Sequence, residues 1–175
     1  MTAVPDRSGR ALDVLRILLG VIWGANLLFI FLPQSAANYW NPTFFSSTAY
    51  SYAFSSVIGP GLPNFVAAYP MFFASLIAIG STYLAVAFLL GITTRLASLL
   101  GLIASVLLLL TQWNGIFVWG WGTDVGAQPL YIAICLALLV GGAGRYWALD
   151  AWIWKSVGAR LSSLARWIAV PSGSG

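Results

Sequence analysis

Residues 71–110 read MFFASLIAIGSTYLAVAFLL-GITTR-LASLLGLIASVLLLL. Two apolar runs flank a short turn, and the turn holds the one charged side chain of the stretch, Arg95. A helix needs about 20 apolar residues to cross the hydrocarbon core of a bilayer. So short a turn between two helices allows only an antiparallel connection. The stretch therefore predicts two neighbouring membrane-spanning helices.

The composition of the whole chain agrees with a membrane protein. Of its 175 residues 60% are hydrophobic and 7% are charged, whereas a soluble domain has about 25% charged residues. This excludes a water-soluble enzyme, a disordered tail and a nucleic-acid binder. The chain has no histidine, and Cys135 is its single cysteine. A disulfide within the chain is therefore excluded, and haem, copper and Ser-His-Asp sites lack their usual ligand or base.

Four windows are long and apolar enough to cross a bilayer as helices. The first carries Arg16 near its start and Asn26 within it. The prediction is an all-α membrane protein, an antiparallel bundle of four transmembrane helices that forms a single domain over residues 1–170. The spans are expected at about residues 12–32, 71–90, 96–117 and 126–142.

The positive charges predict how this bundle is oriented. With four spans, all eight Lys and Arg residues fall on one side, and the opposite loops, 33–69 and 118–129, contain none. The positive-inside rule assigns the charged side to the cytoplasm, so both termini are expected there, in a cell membrane. A cleavable signal peptide over residues 1–30 is the competing interpretation. The apolar run is longer than a signal core, and no clear cleavage site follows it.

Two outer loops are candidates for function. Residues 33–69 are rich in aromatic side chains, and a loop of this length predicts short helices at the headgroup level. They serve either as an aromatic belt or as a cap over a site or a dock for another subunit. The second loop holds a candidate outer-face site formed by Trp119, Trp121 and Asp124. Asp124 either caps the fourth helix or acts as a functional carboxylate that relays a proton.

Two further patterns concern packing. Apolar residues at helical spacing predict an amphipathic helix over about residues 148–168, lying on the inner membrane surface, before a disordered tail at 171–175. Small residues recur four apart in three spans, which allows close helix contact either within the bundle or with a partner subunit. They are Gly20 and Gly24; Ala97, Gly101 and Ser105; and Ala133, Ala137 and Gly141.

Three short motifs occur in order along the predicted inner side. They are Leu15-Arg16-Ile17-Leu18-Leu19-Gly20, the hairpin Gly91-Ile92-Thr93-Thr94-Arg95-Leu96-Ala97, and Gly141-Gly142-Ala143-Gly144-Arg145-Tyr146-Trp147-Ala148-Leu149-Asp150. Together they resemble the DoxX-like family of small four-helix membrane proteins. The long aromatic loop favours its DoxD-like branch, the small membrane subunit of thiosulfate:quinone oxidoreductase. Members often carry a lysine in the outer half of helix one, where this chain has Asn26.

The motif positions indicate one inner candidate site for a quinone or an anion. Arg16, Arg95 and Arg145 lie near the inner ends of three helices. They either anchor the bundle at the headgroups or converge on an anionic headgroup or a quinone carbonyl. Asp150 is expected to pair with Arg145 or Arg16, and Tyr146 to offer a ring or a hydroxyl.

The resemblance implies a subunit of a quinone-linked oxidoreductase, with transfer of electrons from thiosulfate to membrane quinone as the specific expectation. The chain offers no metal ligands or paired thiols for an electron path, so a second protein subunit is expected to supply the anion site. No covalently bound cofactor is expected, and a quinone is the candidate ligand. The alternative is a non-catalytic membrane anchor or assembly subunit of a larger complex. A transporter is a weaker third hypothesis, because the spans have almost no polar lining.

Overall fold

A computed structural model describes residues 7–54, 56–111, 128–141 and 147–150 of the chain. Every regular element within these ranges is an α-helix. We number the helices in chain order: α1 Arg7–Phe31, α2 Pro33–Tyr39, α3 Pro42–Ala53, α4 Gly61–Ala68, α5 Pro70–Leu90, α6 Thr94–Thr111 and α7 Gln128–Gly141.

Three of these helices are long and apolar enough to cross a membrane: Ser8–Phe31 within α1, Pro70–Leu90 and Thr94–Thr111. At 1.5 Å per residue, α5 is roughly 32 Å long, close to the hydrocarbon thickness of about 30 Å. The first three predicted spans therefore correspond to α1, α5 and α6. The predicted fourth span corresponds to α7, an apolar helix of 14 residues.

Helix α1 begins earlier than the predicted span, at Arg7 and not near residue 12. A hydropathy window detects only the apolar part of a helix. The preceding residues 7–11 are more polar but contain no proline, so the helix extends through them. Residues 112–127, which include the end of the predicted third span, lie outside the described residues. So does most of the predicted interfacial helix at 148–168, together with the tail at 171–175.

The segment between α1 and α5 folds into three short helices, α2 to α4. Proline stands at the first turn of α2 and α3, where its missing N–H costs nothing. The Asn41 side chain caps α3, because its Oδ1 accepts the N–H of Thr43 at 3.0 Å and that of Phe44 at 3.3 Å. Placement of these helices at the headgroup level stays a prediction.

Side chains of this segment tie it to the ends of the long helices. The Tyr39 hydroxyl donates to the Ala74 carbonyl of α5 at 2.7 Å, and Trp40 Nε1 donates to the Ile30 carbonyl of α1 at 3.1 Å. Burial raises the pKa of the Tyr39 hydroxyl to about 12, because the phenolate is poorly solvated there. The segment is thus packed onto the protein.

Helix α1 packs against α5 and α7, and α6 packs against α7. The buried core lies between them and contains Leu19, Trp23, Leu84, Phe88, Cys135 and Leu138 among others. A Cβ at Gly101 of α6 would lie 3.2 Å from Cys135 Sγ, so this glycine lets α6 and α7 approach closely. Its stripe neighbours Ala97 and Ser105 are buried as well, whereas Ala133 and Ala137 of α7 are exposed.

Helix α7 returns the chain to the end of the molecule where α1 begins. A Cβ at Gly141, the last residue of α7, would lie 2.6 Å from Leu12 Cδ1 of α1. Beyond it, residues 147–150 contact α1 and the turn between α5 and α6. The candidate site is built at this end.

Candidate functional site

The turn between α5 and α6 depends on a glycine. Gly91 ends α5 in the left-handed conformation, with φ 68°, and the Ile92 N–H then donates to the Ala87 carbonyl at 3.0 Å. A Cβ on Gly91 would collide with Ala148 and would lie 2.8 Å from Arg16 Nη1. The missing side chain therefore makes room for both α1 and the chain beyond α7.

Arg16 is completely buried beside this turn. Its Nη1 donates to the Phe88 carbonyl and, at 3.4 Å, to that of Leu89, and its Nη2 donates to the Trp147 carbonyl at 2.6 Å. The two α5 carbonyls belong to the last turn of that helix, where carbonyls have no partner inside the helix and the dipole is negative. The guanidinium thus caps α5 and points into the protein, and its Nη1 and Nη2 donate to carbonyls of the chain itself.

Asp13 is the counter-ion of Arg16. Its Oδ1 lies 3.5 Å from Arg16 Nε, and its Oδ2 accepts the Trp147 N–H at 3.2 Å. The carboxylate is fully buried, and such a group is tolerated only when paired and hydrogen-bonded. Asp13 was not among the predicted site residues. The available signal was its position three residues before Arg16, on the same helix face.

Asp150 caps the next helix. Its Oδ1 accepts the Thr93 N–H at 2.7 Å and its Oδ2 accepts the Thr94 N–H at 3.0 Å, while its own N–H donates to the Gly91 carbonyl at 3.0 Å. A carboxylate at this position satisfies free N–H groups and complements the positive end of the α6 dipole. The sequence predicted Arg145 or Arg16 as the partner of Asp150; its carboxylate oxygens bind these two backbone amides, and Arg145 lies outside the described residues. We call Asp13, Arg16 and Asp150 with their backbone partners the inner-end network.

Thr93 links the inner-end network to a tyrosine of α5. Its φ is 52°, a conformation that is a genuine outlier for a β-branched residue. The Thr93 Oγ1 donates to the Ile92 carbonyl at 2.7 Å and lies 2.7 Å from the Tyr83 hydroxyl. Strained residues of this kind cluster at functional sites, and Asp150 holds this one in place through its N–H.

Tyr83 and Thr93 line one end of a cavity of about 740 Å³ that runs along α5. We call this cavity the α5 groove. Its other end is lined by Phe31 and Trp40. Between the ends, the α5 residues Ser75, Ala78, Ile79, Thr82, Val86 and Ala87 face the groove, and Ile92 completes the lining.

The surface of the α5 groove is apolar in character even where it has hydroxyl groups. Ser75 Oγ donates to the Met71 carbonyl and Thr82 Oγ1 to the Ala78 carbonyl, each at 2.8 Å along the same helix. Such back-bonds satisfy a hydroxyl locally. The groove is within the size range of small-molecule sites, about 300–1,000 Å³, and its lining is typical of a site for an apolar ligand.

The structure brings together two of the five residues of the predicted inner site, Arg16 and Asp150, around the α5–α6 turn. Arg95 follows Thr94 in the first turn of α6, and its buried Nε has no hydrogen-bond partner. Arg145 and Tyr146 lie outside the described residues. The predicted outer-face site, Trp119, Trp121 and Asp124, lies outside them too. Tyr83 and Thr93 were not among the predicted site residues, because only the packing of the turn against α5 brings their hydroxyls together.

Within the described ranges, no group of three His, Cys, Asp or Glu side chains could hold a metal ion. The chain matches no protein-family model, no curated protein and no solved structure.

Proposed function

We propose that this protein is an integral membrane subunit of a quinone-linked oxidoreductase, of the thiosulfate:quinone oxidoreductase type that the resemblance to the DoxX-like family implies. The observation that carries the proposal is the α5 groove. Its volume of about 740 Å³ suits the ring of a lipid-soluble quinone with part of its apolar tail. A quinone supplies two-electron acceptor chemistry when bound, and an electron donor would act through a partner subunit.

The proposed topology is a four-span bundle with both termini in the cytoplasm. The described part of the chain supports it, because Gly141 lies against Leu12 and Asp150 caps α6 beside the start of α1. Helix α7 alone, at 14 residues, is roughly 21 Å long and needs flanking residues to complete a crossing. The positive-inside rule then places the inner-end network at the cytoplasmic side.

Labelling from one side of the membrane tests this topology. In a Cys135→Ser background, Ser8→Cys and Ser172→Cys should react with an impermeant maleimide only after the membrane is opened. Asn38→Cys, on the exposed surface of α2, should react in intact cells. Reaction of Ser8→Cys and Ser172→Cys from opposite sides would contradict an even number of spans.

In the proposed complex, the residues of the α5 groove bind and orient the quinone. Ile79 and Val86 contact the tail, and Tyr83 lies where the ring reaches the polar end of the groove. Arg16 and Asp150 act indirectly, since they fix the turn that carries Thr93. The Ser75 and Thr82 hydroxyls of the lining are already bound to carbonyls of α5, so the middle of the groove presents an apolar surface to the tail.

A groove-filling variant tests the function. Ile79→Trp places an indole in the groove, whereas Ile77→Trp places one on an exposed part of the same helix that does not line it. After mild-detergent purification, the unchanged protein and Ile77→Trp should carry quinone detectable by mass spectrometry, and their complexes should reduce quinone with thiosulfate. Ile79→Trp should lose both properties. Equal quinone content in all three would contradict the proposed site.

The second candidate function is a non-catalytic anchor or assembly subunit. The specific observation in its favour is the outward face of α7, where Ala133 and Ala137 are exposed, since small residues allow another helix to approach closely. Ala137→Leu, with Leu136→Ala as the control on the same helix, should then release a co-purifying protein while quinone content is unchanged. Retention of the co-purifying protein would count against the anchor hypothesis.

A further inference from the structure

The hydrogen bonds at the inner end of the α5 groove have one consistent direction. A hydroxyl group has a single proton to donate, and Thr93 Oγ1 gives its proton to the Ile92 carbonyl at 2.7 Å. In the 2.7 Å contact between Tyr83 and Thr93, the proton must therefore come from the tyrosine. Tyr83 donates to Thr93, and its oxygen keeps free lone pairs that can only accept.

The other polar side chains that line the groove also donate their protons to acceptors within the chain. Trp40 Nε1 donates to the Ile30 carbonyl, Ser75 Oγ to the Met71 carbonyl and Thr82 Oγ1 to the Ala78 carbonyl. Among the described residues lining the groove, every side-chain N–H and O–H donor is thus used within the chain. The groove offers a ligand acceptors and no donors.

This polarity distinguishes the two redox forms of a quinone. The oxidised ring carries two carbonyl groups, which only accept hydrogen bonds. Uptake of two electrons and two protons converts them into two hydroxyl groups, which donate. An acceptor-only site pairs with the hydroxyl of the reduced form and leaves a carbonyl of the oxidised form unpaired.

We infer that the α5 groove binds the reduced, hydroxyl-bearing form of the quinone more tightly than the oxidised form, and that Tyr83 is the residue that discriminates between them. The inference rests on the proposed function and specifies the ligand form of the same site. A site that prefers the reduced form shifts the bound redox equilibrium toward reduction. The bound quinone is then a better electron acceptor than free quinone, as a quinone-reducing subunit requires.

Thr93 sets this preference through Tyr83. While the Thr93 hydroxyl is present it takes the tyrosine proton, and Asp150 fixes the position of Thr93 by accepting its N–H at 2.7 Å. Thr93→Ala removes the acceptor and frees that proton, so that Tyr83 can donate to a carbonyl of the oxidised ring. Thr93→Ser keeps the hydroxyl and is the matched control.

The test is an anaerobic titration of the full-length protein with decylubiquinone and, separately, decylubiquinol, with the bound ligand counted by native mass spectrometry. The unchanged protein and Thr93→Ser should bind the quinol about fivefold more tightly, the value of one net hydrogen bond. Tyr83→Phe should bring the ratio to about one by weakening quinol binding. Thr93→Ala should bring it to one or below by strengthening quinone binding.

Two other outcomes would refute either the selectivity alone or the quinone site together with the selectivity. Binding of both forms with equal affinity by the unchanged protein, or an unchanged ratio in Tyr83→Phe, refutes the selectivity and leaves the proposed quinone site standing. Binding of neither form by the unchanged protein refutes the quinone site and the selectivity together. Thermal midpoints of all variants are measured in the same detergent. If Tyr83→Phe unfolds, the comparison of Thr93→Ala with Thr93→Ser decides the question, since only Thr93→Ala should lose the preference for the quinol and a preference retained in both variants refutes the selectivity.

Discussion

Asp13 Oδ1 lies 3.5 Å from Arg16 Nε, and both side chains are fully buried. The pair would be costly to bury alone. It is accommodated because the remaining donors of the guanidinium reach the carbonyl groups of α5 and Trp147, and the second carboxylate oxygen binds the Trp147 N–H. One ion pair therefore joins α1, α5 and the chain beyond α7.

Removal of the Arg16 guanidinium should strongly destabilise the protein. Arg16→Gln leaves the Asp13 carboxylate unpaired and several carbonyl groups without donors, which for a buried pair costs roughly 3–5 kcal/mol. Thermal unfolding in detergent measures the loss relative to the unchanged protein. Adding Asp13→Asn should recover part of the loss. Equal midpoints for Arg16→Gln and the unchanged protein would show that the pair contributes nothing.

Loss of the Asp150 carboxylate should loosen the start of α6. Asp150→Ala removes the acceptor of two amides, a cap worth about 1–2 kcal/mol, and Asp150→Asn should lose less because its oxygen still accepts. Hydrogen exchange at the Thr93 and Thr94 amides should be slowest in the unchanged protein, faster in Asp150→Asn and fastest in Asp150→Ala. Asn41→Ala, which removes the cap of α3, should accelerate exchange at Thr43 and leave the α6 amides unchanged. If the Thr93 amide exchanges as slowly in Asp150→Ala as in the unchanged protein, Asp150 does not cap α6.

Two glycines one turn apart in α1 should respond differently to alanine. A Cβ on Gly20 would lie 2.7 Å from the Leu89 backbone nitrogen, whereas a Cβ on Gly24 meets nothing within 4 Å. Gly20→Ala must separate α1 from α5, and overpacking of this kind costs about 1–3 kcal/mol. Gly24→Ala should leave the thermal midpoint unchanged or slightly higher. The reverse order of midpoints would contradict the packing of α1 on α5.

Alkaline pH should destabilise the segment held by Tyr39. Its pKa is raised from 10.0 to about 12 in the folded protein, so between these values the unfolded chain loses a proton that the folded protein keeps. The unfolded state then binds fewer protons, and the free energy of unfolding falls as pH rises from 10 to 12. Below pH 10 the contribution is constant.

Unfolding midpoints measured across this pH range check the assignment. Tyr39→Phe should flatten the decline, and Tyr50→Phe, at an exposed tyrosine, should leave it as in the unchanged protein. A decline of the same slope in all three proteins would rule out Tyr39 as its source.

The sequence predicted the long helices well, because their signals are local. Pro70 marks the start of α5 and Gly91 its end, and both act through backbone chemistry that neighbouring helices do not alter. Apolar length likewise located α1 and α6. The start of α1 at Arg7 was missed, since hydropathy reports where lipid contact begins and not where helical hydrogen bonding begins.

The candidate site was predictable only in part. Arg16 and Asp150 were singled out by motif position, but their partners are backbone groups 72 and 57 residues away in the chain. The packing of the helices decides which carbonyl a guanidinium reaches. The periodicity of apolar residues in the sequence does not predict this packing. Tyr83 was missed for the same reason, because the direction of its hydrogen bond depends on Thr93 in a conformation that its residue type disfavours.

The spacing of the Arg16 contacts also sets an order of assembly. Arg16 is translated 131 residues before Trp147, whose carbonyl completes its coordination. Until the ribosome has passed that point, the Arg16 guanidinium and the Asp13 carboxylate of a nascent chain both lack their contact with the Trp147 backbone. Synthesis of residues 147–150 is thus the step that completes the inner-end network, and chains arrested before it keep this buried ion pair without its backbone partners.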